Sequence, residues 1–157
     1  MKLLIIPLII SLAYGGLGIG TKTSYDFELA TATIRYYTPQ GIGFDGQFGF
    51  VFDGGDQFLF GGSMILPTIA AKFSNLNLNG GISYFNYDRE GMGPDISLLE
   101  IYFYPEVELS LSNRSFHLEF GLPLFSLAFD LENDDTIVSI FMKRSWSSPL
   151  LGCHYYF

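Results

Sequence analysis

Charge is scarce in this chain. Only 15 % of its 157 residues are Asp, Glu, Lys or Arg, against roughly 25 % in an ordinary soluble domain, which is too little to coat a surface exposed to water. Basic residues are scarcest, with 8 Lys and Arg against 16 Asp and Glu. The resulting formal charge of −8 excludes the basic patch that nucleic acid or anionic lipid would require. A single cysteine, Cys153, excludes an intramolecular disulfide and is expected to serve as a small apolar side chain. Beyond the first dozen residues no apolar run approaches the roughly 20 residues of a membrane helix. Metal-binding motifs, phosphate loops and nucleophile elbows are missing, and His117 and His154 stand in no ligand spacing. Neither a metal nor a cofactor is expected.

What is present points to strands. Hydrophobic residues make up 48 % of the chain, aromatics 17 %, and there are 18 glycines; aromatics favour strands, and glycine marks turns, bulges and crowded interior positions. The amino terminus reads as a secretory leader over residues 1–15. Lys2 supplies the positive start, Leu3 to Leu12 the apolar core, and Ala13-Tyr14-Gly15 the cleavage site. The remainder, 16–157, is one domain.

The segment from Ile96 to Leu131 is the most regular. Ile101, Phe103, Val107, Leu109 and Leu111 alternate with Glu100, Glu106, Glu108 and Ser110, and a second arm alternates Phe116, Leu118, Phe120, Leu122 and Leu124 with His117, Glu119 and Gly121, changing phase after Leu124 to put Phe125, Leu127 and Phe129 on the apolar side. A hairpin turn at Ser112–Ser115 sets Glu108 opposite Glu119 and Ser110 opposite His117. The hairpin is greasy on one face and acidic on the other. Its first arm runs sixteen residues, Ile96 to Leu111, whereas strands of soluble proteins are usually about 5–6 long.

Similar alternation predicts further strands at 25–37, 42–52, 58–66, 76–84, 136–142 and 150–157, eight in all. In the first of these Arg35 falls on the apolar parity, which predicts a bulge at Thr31–Thr33 or an Arg snorkelling to a membrane edge. In the hairpin at Asp53–Asp56, Phe52 is expected to pair with Phe58. An even number of strands can close, and hydrocarbon demands closure because it offers no partner for unpaired backbone groups. The expected fold is a single antiparallel up-and-down transmembrane β-barrel. The greasy parity carries more phenylalanines than a narrow eight-stranded lumen could hold, so it is read as facing lipid. A soluble, lipocalin-like ligand-binding barrel is the rival.

The carboxyl terminus adds a motif. Gly152, Tyr155 and Phe157 form Gly-x-x-aromatic-x-aromatic ending on the last residue, which resembles the assembly signal of small bacterial outer-membrane β-barrel proteins. That resemblance implies export, recognition of the last strand by the barrel-assembly machinery, residence in outer-membrane lipid and a monomeric state. It leaves two functional readings open. One is a structural or interaction role without an open pore, in which Glu106, Glu108, Ser110, His117 and Glu119 form an interior polar cluster. A protein cation such as His117, Lys72 or Arg144 would then relieve the Glu108–Glu119 repulsion. The other is a lipid-modifying hydrolase resembling the lipid A deacylases, with Ser110, His117 and Glu119 as nucleophile, base and acid. Those enzymes carry His and Ser close together on one strand, and this chain has no His-x-Ser.

Overall fold

The computed structural model describes residues 16–24, 30–51, 57–87, 96–111, 115–133, 135–140 and 150–157; the predicted leader lies outside them. The described residues form β1 (Gly16–Ser24), β2 (Ala30–Tyr37), β3 (Gly43–Val51), β4 (Gln57–Ala70), β5 (Ser74–Tyr87), β6 (Ile96–Leu111), β7 (Phe116–Gly121), β8 (Phe125–Asp130), β9 (Asp135–Ile140) and β10 (Leu150–Tyr156). All pairings are antiparallel. Strands β1 to β7 and β10 form a ring, sealed by β1 against β10 and by β5 against β6. The long β6 carries both β7, along Glu106–Leu111, and β8, along Leu98–Phe103. β10 then lies beside β7 and β9 beside β8, so the sheet is a closed barrel with eight strand positions.

The registers of the β6–β7 hairpin are those of the sequence: Leu111 faces Phe116, Ser110 faces His117 and Glu108 faces Glu119. Four other expectations are corrected. First, the glycine-rich segment after residue 15 is a strand in its own right, because Gly18 and Gly20 leave room on the interior face while Ile19 and Thr21 point outward. Second, the strand expected from residue 25 begins at Ala30, and residues 25–29 lie outside the described residues. With Tyr25, Phe27 and Leu29 removed from its phase, Arg35 shares the inward face of Thr31 and Thr33 and needs neither bulge nor snorkelling. Third, the second arm of the central hairpin, expected to run through Leu122 and Leu124, ends at Gly121, since Pro123 cannot donate to the ladder; the phase change expected after Leu124, which brings Phe125, Leu127 and Phe129 to the apolar side, is seen in β8. Fourth, Phe58 pairs with Phe50, two residues before the expected Phe52.

The extra strand also changes which connections share an end. The start of β1 lies against the end of β10, Gly18 opposite Tyr156. β2 therefore meets β3, β4 meets β5 and β6 meets β7 at the end holding the termini, and the facing ends of β1 and β2, β3 and β4, β5 and β6, and β8 and β9 lie at the other. A strand count beginning at residue 25 puts the polar segment 88–95 beside the termini; that segment lies outside the described residues, and the pair that flanks it, Tyr87 and Ile96, stands at the opposite end.

The barrel is inverted relative to a water-soluble one. Phe48, Phe50 and Phe60 are 47 %, 59 % and 56 % exposed on the outer wall, while Arg35 and His154 are 0 % exposed inside. Along β3, β4 and β5 the outer wall carries a chain of neighbouring rings, with Phe58 and Phe60 stacked at 6.3 Å and Tyr84 beside them at 5.3 Å from Phe60.

Candidate functional site

Strand parity turns a charged side chain from most of the ring toward one level of the lumen. Lys22 comes from β1, Arg35 from β2, Asp45 from β3, Glu106 and Glu108 from β6, Glu119 from β7 and His154 from β10, and all are buried. The narrow lumen makes them meet. Arg35 sits at the centre: Nη1 donates to Glu106 Oε1 at 3.0 Å, and Nη2 donates to Asp45 Oδ2 at 2.9 Å and Glu119 Oε2 at 3.0 Å. Its Nη1 also lies 2.9 Å from Glu119 Oε1. Lys22 Nζ donates to Asp45 Oδ2 and to the Tyr104 hydroxyl, and lies 3.5 Å from Glu106 and 3.6 Å from Glu119.

Glycines create the space. A Cβ on Gly20 would lie 2.0 Å from the Cys153 carbonyl oxygen and 2.7 Å from the His154 ring, and one on Gly152 would lie 2.9 Å from Lys22 Cγ and 3.1 Å from Glu119 Oε2. Gly152, singled out by the terminal motif, therefore also makes room for the ionic core. Tyr155 and Phe157 of that motif face outward, ring against ring at 5.3 Å.

Two layers of partners divide the carboxylates. Glu119 is held by Arg35 and by His154, whose Nδ1 abuts Glu119 Oε1 while its Nε2 meets Thr33 Oγ1 at 2.6 Å. Glu108, one layer nearer the termini, contacts His117 Nδ1 at 2.8 Å and accepts from Tyr156 OH at 3.0 Å, Tyr37 OH at 3.2 Å and Asn77 Nδ2 at 3.4 Å. Unrelieved, two carboxylates about 5 Å apart would repel by roughly 3 kcal/mol at an effective dielectric of about 20. The relief comes from Arg35 on one side and from His117 with two tyrosines on the other. Among the described residues, Asp45, Glu106, Glu108 and Glu119 thus share this part of the lumen with Lys22, Arg35, His117 and His154.

Of the cations anticipated from the sequence, His117 reaches the cluster. Lys72 lies on the exposed turn between β4 and β5, and Arg144 is outside the described residues. Lys22 and Arg35 were missed. Their signal was available in the small-residue parity Gly16, Gly18, Gly20, Lys22 and in Thr31, Thr33, Arg35, both of which read as inward faces once β1 and β2 are taken as separate strands. For the Ser110–His117–Glu119 sequence of roles, the carboxylate at His117 is Glu108, and Glu119 is engaged by Arg35 and His154. Ser110 faces His117 in register from the neighbouring strand.

Toward the other end the lumen turns apolar. Phe85 and Leu98 are buried against each other, with Leu59, Tyr87 and Ile96 packed on them. Between the apolar and ionic layers, Glu100 accepts from Ser83 and Ser126, and Gln47 donates to the Tyr102 hydroxyl at 3.2 Å.

No family model matches the sequence, and no curated protein matches it. Among solved structures, this chain is similar to Ail, the attachment invasion locus protein of Yersinia pestis, at 13 % identity over 91 % of this chain and 95 % of that one, with a TM-score of 0.42. The barrel assignment rests on the strand pairings and side-chain exposure of this chain itself.

Proposed function

We propose that this protein is a bacterial outer-membrane β-barrel with a structural or interaction role and a lumen that does not conduct. The observation that carries this reading is the inverted distribution of side chains. Phenylalanines cover the outside, where only hydrocarbon would favour them, and strands β1 to β7 and β10 pair with one another around a full ring. Closure of the lumen is argued from Arg35, which reaches from β2 to Glu106 and Glu119 on β6 and β7, and from the Phe85–Leu98 layer beyond it. Small barrels of this size are filled by their own side chains.

The leader at 1–15 and the Gly152–Tyr155–Phe157 motif fit export and handover to the barrel-assembly machinery. The folded barrel is proposed to be a monomer in outer-membrane lipid, without nucleic-acid partners. Fractionation of cells expressing the full chain tests location, with Phe157 deletion as the matched control; the deletion should lower the folded outer-membrane form. Planar bilayer recordings test closure. The intact barrel should give no step conductance, and replacing Arg35, Glu106 and Glu119 together with Ala should raise it.

A further inference from the structure

The hairpin joining β4 and β5 extends past its neighbour β3. β3 pairs with β4 only as far as Ile65, so among the described residues Leu66–Ala70 have no neighbour on that side. Every residue from Leu66 to Phe73 is exposed, whichever parity it occupies. The large ones are apolar: Leu66 is 40 %, Ile69 62 % and Phe73 58 % exposed. Lys72 extends its ammonium to 4.9 Å from the Phe73 ring centroid. Among the described residues it is the only lysine or arginine outside the lumen.

These features place opposite demands on the surroundings. An open strand edge cannot sit in hydrocarbon, because its unpaired backbone groups need water or another partner. Pro67 and the register shift between Pro67 and Ile69 also make the edge a poor template for an added strand. Exposed Leu66, Ile69 and Phe73 in turn are poorly suited to bulk water. The zone that satisfies both is the boundary between acyl chains and headgroups, where aromatic side chains and snorkelling lysines also concentrate. The apolar outer wall leads directly there, from Phe60 through Met64 and Leu66 on β4.

We propose that the Leu66–Phe73 hairpin tip is an interfacial anchor. It lays Leu66, Ile69 and Phe73 into the glycerol and upper acyl region of a phospholipid leaflet at the termini-bearing end, with the Lys72 ammonium directed to the lipid phosphate. The proposal rests on the membrane reading given above.

The test uses the mature chain folded into phosphatidylcholine vesicles, in a Cys153→Ala background, with a polarity-sensitive fluorophore on a single introduced cysteine. Ile69→Cys and Phe73→Cys probe the tip, Phe48→Cys the outer wall and Leu131→Cys the exposed turn at the opposite end. All four positions are exposed, so labelling should not disturb the core. The expected result at both tip positions is quenching by phospholipids spin-labelled near the headgroup, with iodide quenching several-fold weaker than at Leu131. If Phe48 contacts lipid while both tip positions are as open to iodide as Leu131, the anchor is overturned and the membrane barrel stands. If Phe48 is itself open to iodide, the membrane reading fails and the anchor fails with it. Tip positions shielded from both iodide and spin-labelled lipid would show contact between copies of the chain and would also overturn the anchor.

Discussion

Arg35 and Glu106 meet in the lumen as a two-pronged ion pair, Nη1 to Oε1 at 3.0 Å and Nη2 to Oε2 at 3.2 Å, although 71 residues separate them in the chain. Both side chains are at most 1 % exposed. The same guanidinium also holds Asp45 and Glu119, so three carboxylates share it. Replacing Arg35 with Met should therefore cost about 3–5 kcal/mol, the usual result of removing one partner from a buried ionic group. Arg35→Lys should recover only part of this loss, because an ammonium cannot reproduce the forked geometry. Urea titration of the barrel in vesicles measures both.

Glu119→Gln separates the two accounts of the acidic pair. Repulsion from Glu108 alone would make the substitution neutral or stabilising. The structure predicts a loss of about 1.5–3 kcal/mol, the range for a hydrogen bond to a charged group, because Glu119 is held by Arg35 and His154. The same titration, run on Glu119→Gln beside the parent, reads the sign.

The outer wall gives a third prediction. Phe48→Arg should cost about 2–4 kcal/mol if that position lies near the bilayer midplane, and Phe48→Leu far less. Equal tolerance of the two would mean that this wall does not face lipid.

Asn79 gives a prediction of the opposite sign. It is fully buried, and neither amide atom has a hydrogen-bond partner among the described residues. A buried polar group left in that state costs roughly 1–3 kcal/mol, and an apolar group of similar shape removes the cost. Asn79→Leu should therefore raise the urea midpoint without changing the slope of the transition.

The sequence was most legible where alternation ran uninterrupted. Over Ile96–Leu111 and Phe116–Gly121, parity and a short turn were enough to specify face and register, down to Glu108 opposite Glu119. It was least legible where glycine replaced the inward residue. Gly16, Gly18 and Gly20 carry no hydrophobic pattern, so β1 gives no strand signal and its Lys22 goes unplaced. Arg35 was displaced for a related reason: Tyr25, Phe27 and Leu29 set a phase that β2, starting at Ala30, does not continue. Both missing cations belong to the first two strands, and their carboxylate partners come from β3, β6 and β7. Pairing across a lumen depends on how the ring closes, which no local pattern encodes. The exchange of Glu119 for Glu108 beside His117 has the same origin, since His154 arrives from β10 to occupy Glu119.

The central claim is that this chain folds around a polar interior because its outside is solvated by lipid. Refolding urea-denatured mature chain by dilution, with and without phosphatidylcholine vesicles, tests it most directly through protease resistance and altered mobility of unboiled samples on gels. The account predicts a compact, protease-resistant species with vesicles and aggregation without them. A soluble, monomeric, protease-resistant protein in buffer free of lipid and detergent would contradict it.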